Sequence, residues 1–309
     1  MEVQESQKPY LLAPKQHDSI YQDIREHIFA GLEKPPTTDN RQAIYLAAQP
    51  GSGKTTLRIH LMYEMGIANN SIVLNSDELR EYHPAYFTLQ SDALNYAKAP
   101  YLVNPDANGW YNRLQAEASS KGYNLVYDST LGGNANDYAV SMQKRISEGY
   151  KTSLHVLAIN SDLSRLGIYL RYETQLLKKG NGRFVSMKAH DINYNNLVPN
   201  LSYLLDEISW EKVGVYTRHV KEKDGIITHN AVKPIYNCTA PVDKDKMLSV
   251  IIDERQKAWT TAEKAYLKFR IDQVESLIIK RGGKLEMFRN DLGNLIKSLD
   301  SSHNKSVNT

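Results

Sequence analysis

Residues 46–57, LAAQPGSGKTTL, leave few folds open to this chain. The run before the loop, QAIYLAA (42–48), is apolar and carries β-branched and aromatic residues, so it reads as a strand. The run after it, KTTLRIHLMYEMG, reads as a helix, with the glycines at the turn between the two. Gly51 and Gly53 remove side chains where successive backbone N–H groups must converge on anionic oxygens. Lys54 then stands as a point charge toward the outer phosphates of a nucleotide, and Thr55 offers its hydroxyl to a magnesium ion. Ala48 takes the first position of the G-x-x-x-x-G-K-[ST] pattern, which is tolerable where the backbone is not left-handed. The candidate nucleotide site is therefore Gln49, Pro50, Gly51, Ser52, Gly53, Lys54, Thr55 and Thr56.

The rest of the chain alternates as an α/β domain does. SIYQDIREHIF (19–29) places Ile20, Ile24 and Ile28 on one helical face. NNSIVLNSD (69–77) is a second strand ending in polar groups, and a mixed segment rich in tyrosine and asparagine runs on to Asn112. RLQAEASSKG is a helix, YNLVYDST (123–130) a third strand and TSLHVLAIN (152–160) a fourth. This order predicts a mostly parallel sheet with helices on both faces. In such sheets ligands bind at the carboxyl ends of the strands, where Asp77, Asp128, Ser129 and Thr130 join Lys54 and Thr55.

Composition narrows the partners. With 38 basic and 35 acidic residues the formal charge is +3, which supplies no electrostatic case for a nucleic-acid ligand. The single cysteine, Cys238, cannot form an internal disulfide and agrees with a reducing compartment. No signal-like segment and no apolar run of ~18 residues is present, so a cytoplasmic protein without a membrane span is expected. Export as an effector through a dedicated secretion system is compatible with the same sequence.

Phosphoryl transfer requires positive charge on the transferring group and a carboxylate that orients and deprotonates the acceptor. Asp77 and Asp128 are the acidic candidates, although an aspartate at a strand end also caps helices. Lys54, Arg171 and Arg183 are the cationic ones; Arg183 lies in KKGNGRFV, whose glycines suggest a mobile lid, while Arg165 reads as a solvated surface charge.

An ordered set of motifs, QPGSGKTTLR, LNSDELREYHPAY, GYNLVYDST, RYET and KAHD, resembles the zeta toxin family of toxin–antitoxin kinases over residues 42–216. The resemblance implies a P-loop nucleotide kinase-like fold and an enzyme that uses ATP and Mg2+ to phosphorylate the amino-sugar 3'-hydroxyl of UDP-N-acetylglucosamine or a related UDP-sugar. By its motifs Asp77 is implied as general base, Lys54 as the phosphate-binding lysine, and Arg171 and Arg183 as contacts to the transferring phosphate. His83, Asn112, Asp128 and Thr130 fall at substrate-side positions. The family further implies depletion of a cell-wall precursor and an antitoxin helix that obstructs the ATP site. Two positions depart from the pattern. The family's EGT is DST here, which shortens the carboxylate at Asp128 and adds bulk at Ser129, and an expected acidic residue is Asn112. A kinase of another soluble nucleotide such as NAD, and a nucleotide-binding module with a decayed acceptor site, therefore remain as alternatives.

Beyond the resemblance, VGVYTRHVKEKDGIITHNAV reads as a hairpin turning at its D-G pair. CTAPVDKDK reads as a linker. Residues 247–280 read as one helix with Trp259, Ala262, Tyr266 and Phe269 on a shared face. After Gly282 and Gly283, Leu285, Phe288, Leu292, Leu295 and Leu299 continue the period in a last helix, making a C-terminal helical hairpin. The organisation expected is an N-terminal helical segment (1–40), a kinase-like domain (41–235), a helical extension (236–300) and a disordered tail (301–309). The extension is free to pack on the kinase domain, pair with a second copy or hold an inhibitor protein.

Overall fold

The computed structural model describes residues 3–92, 95–223 and 226–301. Helix α1 (Pro14–Phe29) precedes β1 (Gln42–Ala47), which turns into α2 (Lys54–Glu64). β2 (Ser71–Leu74) leads to α3 (Ser76–Arg80), α4 (Tyr86–Ser91), α5 (Ala99–Leu102) and α6 (Asn104–Ser120). The segment read as mixed is thus largely helical, and Asn112 lies inside α6. Then follow β3 (Asn124–Ser129), α7 (Ala135–Ser147), β4 (Lys151–Leu157), α8 (Ser161–Lys179) and α9 (Met187–Glu207). The hairpin strands are β5 (Lys212–Lys223) and β6 (Ile226–Thr239); its D-G turn, Asp224 and Gly225, lies outside the described residues. The chain ends in α10 (Lys244–Gln256), α11 (Thr261–Lys280), α12 (Glu286–Asp291) and α13 (Gly293–Ser301); positions 302–309 of the tail lie outside the described residues.

The strands lie in the order β2-β3-β1-β4-β5-β6, parallel except for β6, which returns antiparallel to β5. The sheet is the mostly parallel α/β sheet expected, with helices on both faces. Its central strand β1 is buried from Ala43 onward, as a strand covered on both sides must be. One core packs Tyr45, Tyr127 and Val213 against α1, α6, α7, α9 and α10, and the other packs Ile44, Leu46 and Val126 against α2, α8 and α11 to α13.

The flanking helices belong to these cores. In α1 Ile24 is fully buried, Tyr21 donates to Glu117 at 2.9 Å, and the Trp110 indole donates to the His17 carbonyl at 3.0 Å. The C-terminal hairpin folds on to α2 and α8 through Leu267, Val274, Phe288, Leu292 and Leu295.

Two expectations need correction there. The helix read over 247–280 is two helices on opposite faces of the sheet, separated at Lys257–Thr260. Thr260 accepts from the Glu263 N–H and Glu263 answers to the Thr260 N–H, a capping box that starts α11 afresh. The buried stripe of α11 is Tyr266, Leu267, Ile271, Val274 and Ile278, and Phe269 points outward at 58% exposure. The start of the linker read at CTAPVDKDK still belongs to the sheet, since Cys238 and Thr239 pair with Val213 and Lys212.

Candidate active site

The loops after β1, β2 and β3 meet α6, α8 and the 180–186 segment around a cleft of about 1080 Å³. Backbone strain and close packing shape its floor. Gly51 and Gly53 sit at φ 78° and 91°, where a side chain would be strained, and Ala48 is not left-handed. A Cβ on Gly167 of α8 would lie 2.1 Å from the Gly51 carbonyl, so the loop can rest on α8 only because both residues are glycine. We expect Gly167→Ala to displace the loop at an overpacking cost of ~1–3 kcal/mol, weakening ATP binding roughly 10–100-fold. Calorimetric titration with a non-hydrolysable ATP analogue checks this, and an unchanged Kd would show the loop to be placed by other means.

The same loop is tied down from below. Gln49 is buried and donates to the Ile159 carbonyl at 2.8 Å and to Ser164 Oγ at 3.2 Å. Ser164 Oγ is 2.8 Å from His190 Nε2, whose Nδ1 is 2.9 Å from Asp191, which in turn accepts from Arg165 at 2.8 Å. Burial holds the His190 imidazole below its ordinary pKa despite Asp191, which favours the neutral ring. The KAHD motif is thereby a strut beneath the phosphate loop. Arg165 is part of it and does not line the cleft.

Lys54 donates to the Ser129 carbonyl at 2.7 Å and lies 3.0 Å from Asp128 Oδ1. The other Asp128 oxygen accepts from Arg58 at 3.0 Å and Asn75 at 3.2 Å. Asp128, nearly fully buried, is engaged with the lysine of the loop. Thr55 opens on the cleft at the first turn of α2, and the Ser52 hydroxyl is buried without a partner. Thr56 does not line the cleft; its N–H folds back to the Gly53 carbonyl at 3.0 Å.

Asp77 lies in the first turn of α3, capped by Asn75, which accepts from its N–H at 2.9 Å. Its own carboxylate caps nothing and is held by Arg80. Half of the side-chain surface is exposed, and burial of the remainder by itself would raise its pKa. The charges of Arg80, Arg183, Lys54 and Arg171 outweigh that and hold the group down at about 2. Burial, followed by the charge of Arg183, brings the Arg171 guanidinium down to about 10, still a cation at neutral pH. The Nε of Arg171 and the Nη1 of Arg183 are buried without hydrogen-bond partners, and Arg183 Nε has only Glu81, 3.4 Å away, as an ion-pair partner. Buried donors left in that state call for an anion.

Two expectations fail against this geometry. His83 is buried, with Nε2 3.0 Å from the Tyr10 carbonyl and Nδ1 accepting from the Ala85 N–H at 3.2 Å. It lies 3.4 Å from Asp106, faces the N-terminal segment and does not line the cleft. The 180–186 segment is pinned, which does not fit a mobile lid: the Arg183 N–H donates to Gln175 at 2.9 Å, the Phe184 N–H to Gln90 at 3.2 Å, and Phe184 packs among Tyr96, Tyr169 and Tyr172. Asn112 and Thr130 do line the cleft. So do Arg80 and, from β5, Arg218, whose Nη1 reaches the Ser52 carbonyl at 3.4 Å; neither was read from the sequence.

Residues 25–230 match the family described as Zeta toxin. The chain belongs to the zeta toxin family. Among its relatives, Toxin zeta of Streptococcus pyogenes is 29% identical over 210 residues, 66% of this chain and 69% of that one. Toxin zeta of Enterococcus hirae is 31% identical over 182 residues, 57% of this chain and 60% of that one. A structure from the PezAT chromosomal toxin–antitoxin system of Streptococcus pneumoniae superposes with a TM-score of 0.69 at 22% identity, covering 87% of this chain and 99% of that one. The AvrRxo1-ORF1:-ORF2 structure with ATP shares the fold more distantly, with a TM-score of 0.54 at 14% identity over 87% and 85% of the two chains. Membership of the zeta toxin family implies ATP-dependent phosphotransferase activity. The buried donors of Ser52, Arg171 and Arg183 that make no hydrogen bond lie beside Lys54 and suit a triphosphate, and Thr55, open on the same cleft, carries the hydroxyl that would ligate an accompanying magnesium ion. No helix among the described residues is long and apolar enough to cross a membrane.

Proposed function

We propose that the chain transfers the γ-phosphoryl group of ATP to a hydroxyl of UDP-N-acetylglucosamine or a related UDP-amino sugar. The observation that carries the reading is a single cleft in which Asp77 lies within electrostatic reach of Lys54, Arg171 and Arg183. Away from the phosphate loop the cleft lining includes, beside apolar residues and the cations Lys178 and Lys179, the neutral polar groups of Asn108, Asn112, Gln115, Thr130, Ser141 and Asn193. Amides and hydroxyls of this kind suit a polyhydroxylated acceptor.

ATP with magnesium supplies the phosphoryl group and neutralises part of its charge. Asp77 orients the acceptor hydroxyl and takes its proton as that oxygen bonds to phosphorus and the bridging oxygen leaves with ADP. Arg171 and Arg183 hold the transferring group. Lys54 exchanges Asp128 for the phosphates, and Asp128 keeps Arg58 and Asn75 as partners. A protein partner of the antitoxin kind is part of the proposal, supported by the toxin–antitoxin system from which the PezAT structure comes.

A second acceptor class is favoured by one observation. Asp128, the family position for the sugar-nucleotide pocket, is occupied by Lys54 and Arg58. If it stays so, the acceptor is recognised without that carboxylate, and another soluble nucleotide such as NAD is the alternative acceptor. Purified protein with ATP and magnesium should convert UDP-N-acetylglucosamine to a species heavier by one phosphoryl group, read by mass spectrometry. Product from NAD and none from any UDP-sugar would replace the acceptor, and no product from either or from a metabolite extract would leave a nucleotide-binding module.

A further inference from the structure

The guanidinium of Arg80 is used on two sides. Its Nε and Nη2 both donate to Asn104 Oδ1, at 3.1 and 3.0 Å, and its Nη1 donates to Asp77 Oδ1. Asn104 begins α6 and Arg80 ends α3, so the contact fixes the helix that carries Asp77 against the helix that walls the cleft. The Arg80 side chain is only 15% exposed, which leaves it little freedom to turn away. Among the described residues, Asp77 Oδ2 accepts no hydrogen bond, while the cleft opens beside it.

The other cations around Asp77 have a different use. Lys54 from α2, Arg171 from α8 and Arg183 from the 180–186 segment all face the place where donor phosphates would lie, and phosphate oxygens would draw their charge. Glu81, 3.4 Å from Arg183, and Tyr86 from α4 complete the charged and titratable surroundings. Arg80 alone among the four cations is tied by a bidentate contact to a neutral side chain outside the phosphate loop.

We propose that Arg80 is a positioning residue for Asp77: it holds Oδ1 so that Oδ2 stays turned toward the acceptor hydroxyl, and Asn104 holds Arg80 in turn. A planar fork suits this, because it fixes direction as well as charge. The proposal rests on Asp77 being the base, and its test is chosen to work without a known acceptor.

In protein labelled with carbon-13 at the aspartate carboxyls, the Asp77 signal is identified by its loss in Asp77→Asn. In wild type it should remain ionised through pH 4. In Arg80→Gln it should titrate at least about one pH unit higher, with Asn104→Ala intermediate and Arg80→Lys close to wild type. With the acceptor that wild type uses, R80Q should lower kcat about 30–100-fold while KM for ATP stays within about threefold, and the acid limb of the rate profile should move upward with the carboxyl. R80K should recover only part of the rate, since it restores charge and not direction. Should R80Q fail to fold, N104A carries the same comparison. An Asp77 titration unmoved in R80Q and N104A would overturn the proposal, as would ATP affinity falling as far as kcat, which would make Arg80 a phosphate ligand. If wild type phosphorylates no acceptor while the titrations move as stated, the base assignment fails and the clamp stands.

Discussion

Asp77→Asn should still bind ATP, and bind it no more weakly than wild type, while transfer falls about 10²–10⁴-fold. The direction for binding follows from the charges: the mutation removes an anion from among four cations that would otherwise all attract phosphate. The loss of transfer follows from the asparagine, which keeps the size of the group and cannot accept a proton. A carboxyl held down at about 2 suits a proton transfer that comes late, which a loose transition state permits. Phosphate charge on Lys54, Arg171 and Arg183 should relieve the depression, raising the basicity of Asp77 once the donor is bound. Calorimetry and initial rates together test this. Parallel loss of affinity and turnover would make Asp77 a metal-binding or structural residue.

Lys54→Ala should lower turnover by at least about 100-fold, because it removes charge that strengthens its interaction as the phosphoryl group moves. The structure gives a reason to expect the variant to fold. Asp128 loses one of its cations but retains Arg58 at 3.0 Å and Asn75 at 3.2 Å, so no buried carboxylate is left alone. The thermal midpoint should therefore stay close to wild type while the rate collapses. A folded K54A protein with unchanged ATP-dependent turnover would remove the loop lysine from the chemistry.

The phosphate loop was legible because its spacing between a strand and a helix admits few other conformations. Asp77, Asp128 and Thr130 were legible by the same logic, since strand ends in a parallel sheet must gather at one edge. What could not be read came from pairs distant in sequence. Gly167 looks like an ordinary helical residue until the Gly51 carbonyl is found against it, and Arg80 looks solvated until Asn104 meets it 24 residues later. His83 was misassigned because its motif lies near the cleft in sequence, while its ring is turned toward the Tyr10 carbonyl. The break before α11 had a local signal, the Thr260 and Glu263 pair, that the apolar period obscured. Phe269 illustrates the same ambiguity: an aromatic at helical spacing fits a stripe on paper, and α11 turns it to solvent at 58%.

The packing of Leu292 and Leu295 on the same core as Leu57 and Leu61 has a consequence in time. These partners are roughly 240 residues apart, and at ~5–20 residues per second a ribosome needs about 10–50 s to join them. Until then the outer surface of the helix that begins at Lys54, and of the helix that carries Gly167 and Arg171, lacks its cover. A nascent chain thus holds every residue of the cleft long before it holds the layer that steadies them.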